Sequence, residues 1–203
     1  MKLMNSILSL AAIACIAAAS AQPTDKAAVY MRRLADAMKA MEAYTVEFKA
    51  MAGDESIRGR YEVDGYRYHI AVAGNEVYGD DMLRREVDAA HREIVVDLAD
   101  TTSHNLLTNP VRGFRFLGDD YRPRLDSESD GCAVVTLMPA ERGAANRIIV
   151  TLGISDAMPR KICYDAEGEI VTIVIESIAR GASVPAFDAA DYPDYEIIDF
   201  RYY

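Results

Sequence analysis

The sequence predicts a mostly β fold with helices (α+β), built on one antiparallel sheet, and three observations carry that reading. Apolar residues recur at helical spacing only near the start of the chain. From Ala43 onward they alternate in short runs, and turn residues rather than long linkers separate the runs. One segment, residues 101–131, breaks the alternation and holds its own short helical pattern.

Taken in order, the first stretch stands apart. Lys2, an apolar run from Ile7 to Ala19, and Ala19-Ser20-Ala21 before Gln22 have the form of a cleavable secretory signal. The run is short for a membrane span. Cys15 admits a second reading as the acylated cysteine of a membrane-tethered acceptor, although Ala12-Ile13-Ala14 fits the required small-residue box poorly. The expected organisation is a signal at 1–21 and one exported domain at 22–203. Losing Lys2 moves the net charge from −10 to −11. With no basic block to offset it, that charge repels phosphate backbones and argues against nucleic-acid binding.

A helix is predicted over Thr24–Met41. Met31, Leu34, Met38 and Met41 recur at three and four residues, Arg32, Arg33, Asp36 and Lys39 take the other face, and Thr24 stands at the N-cap position with Asp25 in the first turn. Beyond it Val46, Phe48 and Ala50 alternate with polar neighbours. In "RYEVDGYRYH", Asp64-Gly65 suits a two-residue type I′ turn. That turn sets Val63 opposite Tyr66 and Tyr61 opposite Tyr68 on one face. It sets Glu62 opposite Arg67 and Arg60 opposite His69 on a wet face.

Further strands are read at "MLRREVD", "REIVVDL", "CAVVTLMP", "RIIVTLGI", "RKICYD" and "EIVTIVIESI", giving one meandering sheet. Short helical turns are expected around Leu106–Phe116, followed by a polar stretch. The closing "FDAADYPDYEIIDFRYY" is read as a solvated acidic turn and a last strand, returning to a sheet edge beside the N-terminal region. Cys132 and Cys163 fall two strands apart, so both are expected as free, buried thiols.

No catalytic constellation stands out. His69, His91 and His104 lack zinc-motif spacing, and His69 belongs to the wet face. Asp80-Asp81 and Asp119-Asp120 each follow a glycine and read as turn chemistry, as does Asp165–Glu169. No metal, cofactor or enzymatic activity is expected.

The order of these elements, from Thr24 to Arg201, resembles the LolA-like periplasmic carriers of outer-membrane lipoproteins. The resemblance rests on "AYTVEFKA" after the helix, "GRYEVDGYRYHI", "VYGDDMLRREVDAAHREIVVDL", "LLTNPVRGFRFL", "VVTLMP" and "FDAADYPDYEIIDFR". It implies a curved, half-open antiparallel β-barrel covered by an N-terminal helix and a mid-chain lid helix. It also implies a monomeric periplasmic carrier that uses no cofactor, takes acylated lipoprotein or a related lipid from an inner-membrane export complex, and passes it to an outer-membrane receptor. Phe48, Tyr61, Val63, Tyr66, Tyr68 and Ile70 would line the cavity. Met31, Leu34 and Met38 would cover it from the helix, and Leu106, Leu107 and Phe114 from the lid. One feature departs from the family: the position of the arginine that pins the lid in its members falls here in the Asp64-Gly65 turn, and the nearby Arg60 and Arg67 face outward. The alternative class is a non-catalytic binding or sensor module on the same scaffold.

Overall fold

A computed structural model describes residues 25–100, 105–107, 109–111, 114, 121–140, 147–166 and 169–201. The helical pattern near the start becomes α1 (Lys26–Lys39), with Ala27, Met31, Leu34 and Met38 buried along one stripe. Each large apolar side chain so buried is worth about 1.5–3 kcal/mol. Asp25 caps the helix, its carboxylate accepting from the Ala27 and Ala28 amides at 3.0 and 3.4 Å. The cap was expected at Thr24, which lies outside the described residues.

Twelve strands occur among the described residues: β1 (Ala43–Ala52), β2 (Glu55–Asp64), β3 (Arg67–Val72), β4 (Asn75–Gly79), β5 (Leu83–Asp88), β6 (Glu93–Leu98), β7 (Tyr121–Ser129), β8 (Cys132–Pro139), β9 (Arg147–Gly153), β10 (Pro159–Ala166), β11 (Glu169–Arg180) and β12 (Glu196–Asp199). They form one open sheet in the order β12-β6-β5-β4-β3-β2-β1-β11-β10-β9-β8-β7. Two meanders, β1 to β6 and β7 to β11, thus join where β1 pairs β11.

One buried cluster runs from Val77 on β4 to Leu125 on β7. Laid flat, the strands between them would span ~38 Å at the usual strand spacing. A helix of this length reaches only ~21 Å and is ~10 Å wide. The sheet therefore curls around α1, and among the described residues β12 and β7 are its two edges.

The first hairpin keeps its predicted faces but not its predicted turn. The observed pairs are Asp64↔Arg67, Val63↔Tyr68 and Tyr61↔Ile70, so the loop is Gly65-Tyr66. Gly65 has φ +63° and Tyr66 is not in the positive region, the pattern of a type II′ rather than a type I′ turn. Tyr61, Val63, Tyr68 and Ile70 still point inward, while Tyr66 leaves the inner face for the turn and is 66% exposed.

Three other expectations change. The stretch read as polar and irregular forms β7, an edge strand that tolerates Pro123 because one side of its backbone needs no partner. The last strand, β12, pairs in parallel with β6 rather than beside the N-terminal region. It gets there because residues 181–195 cross the outer face of β4 to β6. There Phe187, Tyr192 and Tyr195, together with Tyr78, cover Val87, Ile94 and Val96. Cys132 and Cys163 are half-buried rather than buried. They stand on β8 and β10 with β9 between. In the mid-chain segment the described residues form turns, with Asn109 N–H donating to Asn105 O at 2.8 Å. The expected lid helix otherwise falls outside the described residues.

Candidate functional site

The end of α1 and the first hairpin meet at a short turn. Glu42, at φ +58°, reverses the chain into β1, and Gly65 N–H donates to Glu42 O at 3.4 Å. Arg180 donates to Ala40 O at 3.1 Å and holds the turn from the other side. A groove of about 390 Å³ opens there, between the last turns of α1, the tips of β1 and β2, and the mid-chain segment.

Met38, Tyr44, Val63 and Phe114 form its buried floor, with Ala35 and Val111 as half-buried walls. Lys39, Glu42, Asp64 and Tyr66 stand at the rim. An apolar floor with both signs of charge at the mouth suits an amphiphile whose tail enters and whose polar end stays wet. The volume is at the small end for a ligand site. A second groove of about 320 Å³ is bordered by Asp156, Arg160, Glu176 and Arg180.

Of the six expected lining residues, Val63 and Tyr66 border the main groove. Phe48, Tyr61, Tyr68 and Ile70 lie deeper, each 2% exposed or less, in a packed interior. Of the residues expected as cover, Met38 and Phe114 lie in the groove's floor; Met31, Leu34 and Leu106 are fully buried beneath, and Leu107 packs against the same cluster. Leu106 N–H donates to the Tyr164 hydroxyl at 3.0 Å, which anchors this cover to β10. Burial pushes the Tyr164 hydroxyl well above the ordinary tyrosine range, so it stays protonated. The sequence reading missed Ala35, Tyr44 and Val111. Tyr44 was legible: it continues the inward alternation of Val46 and Phe48 by one step.

The interior holds a polar anomaly. Among the described residues, the Tyr61 hydroxyl is buried without a hydrogen-bond partner, and burial, with Tyr44 and Tyr164 nearby, raises its pKa far above normal. The outer face carries the other polar network. His69, half-buried rather than on an open surface, lies between Glu62 at 3.5 Å and Glu76 at 3.0 Å and packs against Tyr78 with the ring centres 4.7 Å apart and the planes tilted by 37°. Tyr78 also bonds Glu76, and its hydroxyl meets that of Tyr192 at 3.0 Å. Asp80 accepts from the Met82 and Leu83 amides, both at 2.8 Å, which is turn chemistry. Asp119, Asp120 and His104 lie outside the described residues. Arg60 and Arg67 do point outward, paired with Glu62 at 2.7 Å and Asp64 at 2.8 Å.

No family model and no curated protein sequence matches this chain. Solved structures do. An uncharacterized conserved protein from Thermus thermophilus is similar at 10% identity and a TM-score of 0.55, over 86% of this chain and 99% of that one. At that identity the likeness shows a common fold. The LolA superfamily protein NE2245 from Nitrosomonas europaea is also similar, at 11% identity and a TM-score of 0.40, over 82% of this chain and 96% of that one. So is an outer membrane lipoprotein-sorting protein domain from Vibrio parahaemolyticus, at 9% identity and 0.43, over 83% and 96%. LolA-like proteins are thus among the solved structures that this chain is similar to.

Proposed function

We propose that this chain is a non-enzymatic, extracytoplasmic carrier that shields an acyl chain of a lipoprotein or related lipid. The observation that carries the reading is the groove itself: an apolar floor of Met38, Tyr44, Val63 and Phe114 under a polar rim, where α1, the first hairpin and the mid-chain segment meet. The order of sequence motifs that resembles the LolA-like carriers supports it. So does the export signal read at residues 1–21. Handover from an inner-membrane export complex to an outer-membrane receptor is part of the same proposal.

The packed interior gives the proposal a definite form. With Phe48, Tyr61, Tyr68 and Ile70 closed off, the groove accepts the start of a chain, and deeper entry requires Leu106, Leu107 and Phe114 to move aside. Each methylene then buried is worth about 0.8 kcal/mol, so insertion over a few carbons offsets the loss of a few apolar contacts in the cover. The cover would act as a ligand-displaced lid without the arginine pin of the family. Native mass spectrometry of the protein extracted from the periplasm tests this: a mass increment matching one acylated ligand is expected, and repeated recovery of bare protein counts against it. No helix among the described residues is long and apolar enough to cross a membrane.

A further inference from the structure

The two edges of the sheet are built differently. β7 presents Arg122, Pro123, Arg124, Asp126 and Glu128, the charged and proline-bearing composition that blunts strand addition. β12 reads Glu196-Ile197-Ile198-Asp199, without proline, and Ile197 and the following Phe200 are 56% and 48% exposed. Leu98, at the end of the neighbouring β6, is 61% exposed. Glu196 N–H and Phe200 N–H donate to Arg92 O and Val96 O of the β6 side, at 2.9 and 2.8 Å. In a parallel ladder alternate residues bond to one side, so the Ile197 and Asp199 amides face away from β6, along the free edge.

Charge limits what such an edge accepts. Between Arg180 and Arg201 the chain has no basic residue and five acids: Asp188, Asp191, Asp194, Glu196 and Asp199. Arg201 engages Asp199 at 2.5 Å, which leaves the excess negative charge at the Glu196 end. A second copy pairing antiparallel about Ile197-Ile198 would set each Glu196 against an Asp199, an unfavourable like-charge pair. An acidic strand meets the same repulsion, whereas a strand carrying Lys or Arg beside apolar residues does not.

We propose that the free edge of β12 is a docking site for an extended, basic segment of a partner protein, added as a thirteenth strand. The backbone amides of Ile197 and Asp199 supply the pairing, Ile197 and Phe200 supply apolar contact, and Glu196 with Asp194 selects for positive charge. This site lies on the sheet edge and does not depend on the acyl groove.

The test uses fluorescence anisotropy with labelled synthetic hexapeptides at physiological salt: alternating lysine and valine, alternating glutamate and valine, and all lysine. The lysine–valine peptide is expected to bind saturably and the other two about tenfold more weakly or worse, a difference of ~1.4 kcal/mol. Ile197→Pro removes an outward amide without touching the β6 ladder, and Glu196→Lys reverses the selecting charge. Each is expected to weaken the lysine–valine peptide by about tenfold while the melting temperature stays close to that of the parent. Binding that survives Ile197→Pro in a folded variant, equal binding of the all-lysine peptide, or concentration-dependent dimerisation through this edge in sedimentation overturns the proposal.

Discussion

Phe48 lies directly opposite Gly59 across the β1–β2 pair, and its ring occupies the place where a side chain at position 59 would stand. A Cβ there would meet Phe48 Cζ at 2.5 Å and Ala71 O at 3.1 Å. Gly59 has no positive φ, so the glycine serves space rather than backbone freedom. The same device recurs where Tyr68 covers Gly79 across β3–β4. Gly59→Ala is therefore expected to cost about 1–3 kcal/mol by urea denaturation, the usual range for overpacking. Adding Phe48→Leu should recover part of that loss, because the smaller side chain vacates the space. Equal stability of Gly59→Ala and the parent would show that the ring yields freely.

Tyr61 offers the opposite case. Its hydroxyl is buried and has no partner among the described residues, so it contributes desolvation cost and no bond. Tyr61→Phe keeps the ring contacts with Phe48 at 5.9 Å and Tyr44 at 6.3 Å. It is expected to leave stability unchanged or raise it by about 1–3 kcal/mol in thermal or urea unfolding. A clear loss would mean that the hydroxyl has a partner in solution.

The outer-face network sets a pH dependence. Burial alone would raise the Glu76 pKa, but hydrogen bonds from Tyr78 and His69 outweigh it and hold the carboxyl below its ordinary 4.5. A carboxylate depressed on folding adds stability that is complete above the unfolded value and is lost as pH falls through the folded one. The parent should thus be more stable than Glu76→Gln at pH 7, and the gap should close as pH falls below about 4, near the ordinary carboxylate range. Urea midpoints at a series of pH values read this directly, and a gap independent of pH would contradict it.

The sequence made local structure legible and left distant partnerships hidden. The α1 stripe and most strands were readable because their periodicity is set by which face is buried. The hairpin faces survived a wrong turn because the pairing slipped by two residues overall, which preserves the inward and outward sets. β7 escaped because an edge strand, wet along most of its length, shows no apolar alternation. The apolar residues of "REIVVDL" serve two sides, which alternation alone does not separate: Ile94 and Val96, with Val87 of β5, face outward under Phe187, Tyr192 and Tyr195. The destination of β12 was unreadable, since its partner β6 lies about a hundred residues upstream and no local pattern records it. At the groove, Met38, Val63, Tyr66 and Phe114 were foreseen. Phe48, Tyr61, Tyr68 and Ile70 were not separable from them, because alternation tells inside from outside but not floor from core.

The most direct test of the carrier reading is equilibrium binding of a dansylated long-chain fatty acid to the protein and to Ala35→Phe. Ala35 is a half-buried wall on α1, so a larger side chain there fills the groove without entering the core. The account predicts saturable one-site binding that Ala35→Phe weakens about tenfold or more, ~1.4 kcal/mol at least, and that Ile197→Pro leaves unchanged. Absence of saturable binding, or binding indifferent to Ala35→Phe in a folded variant, would contradict it.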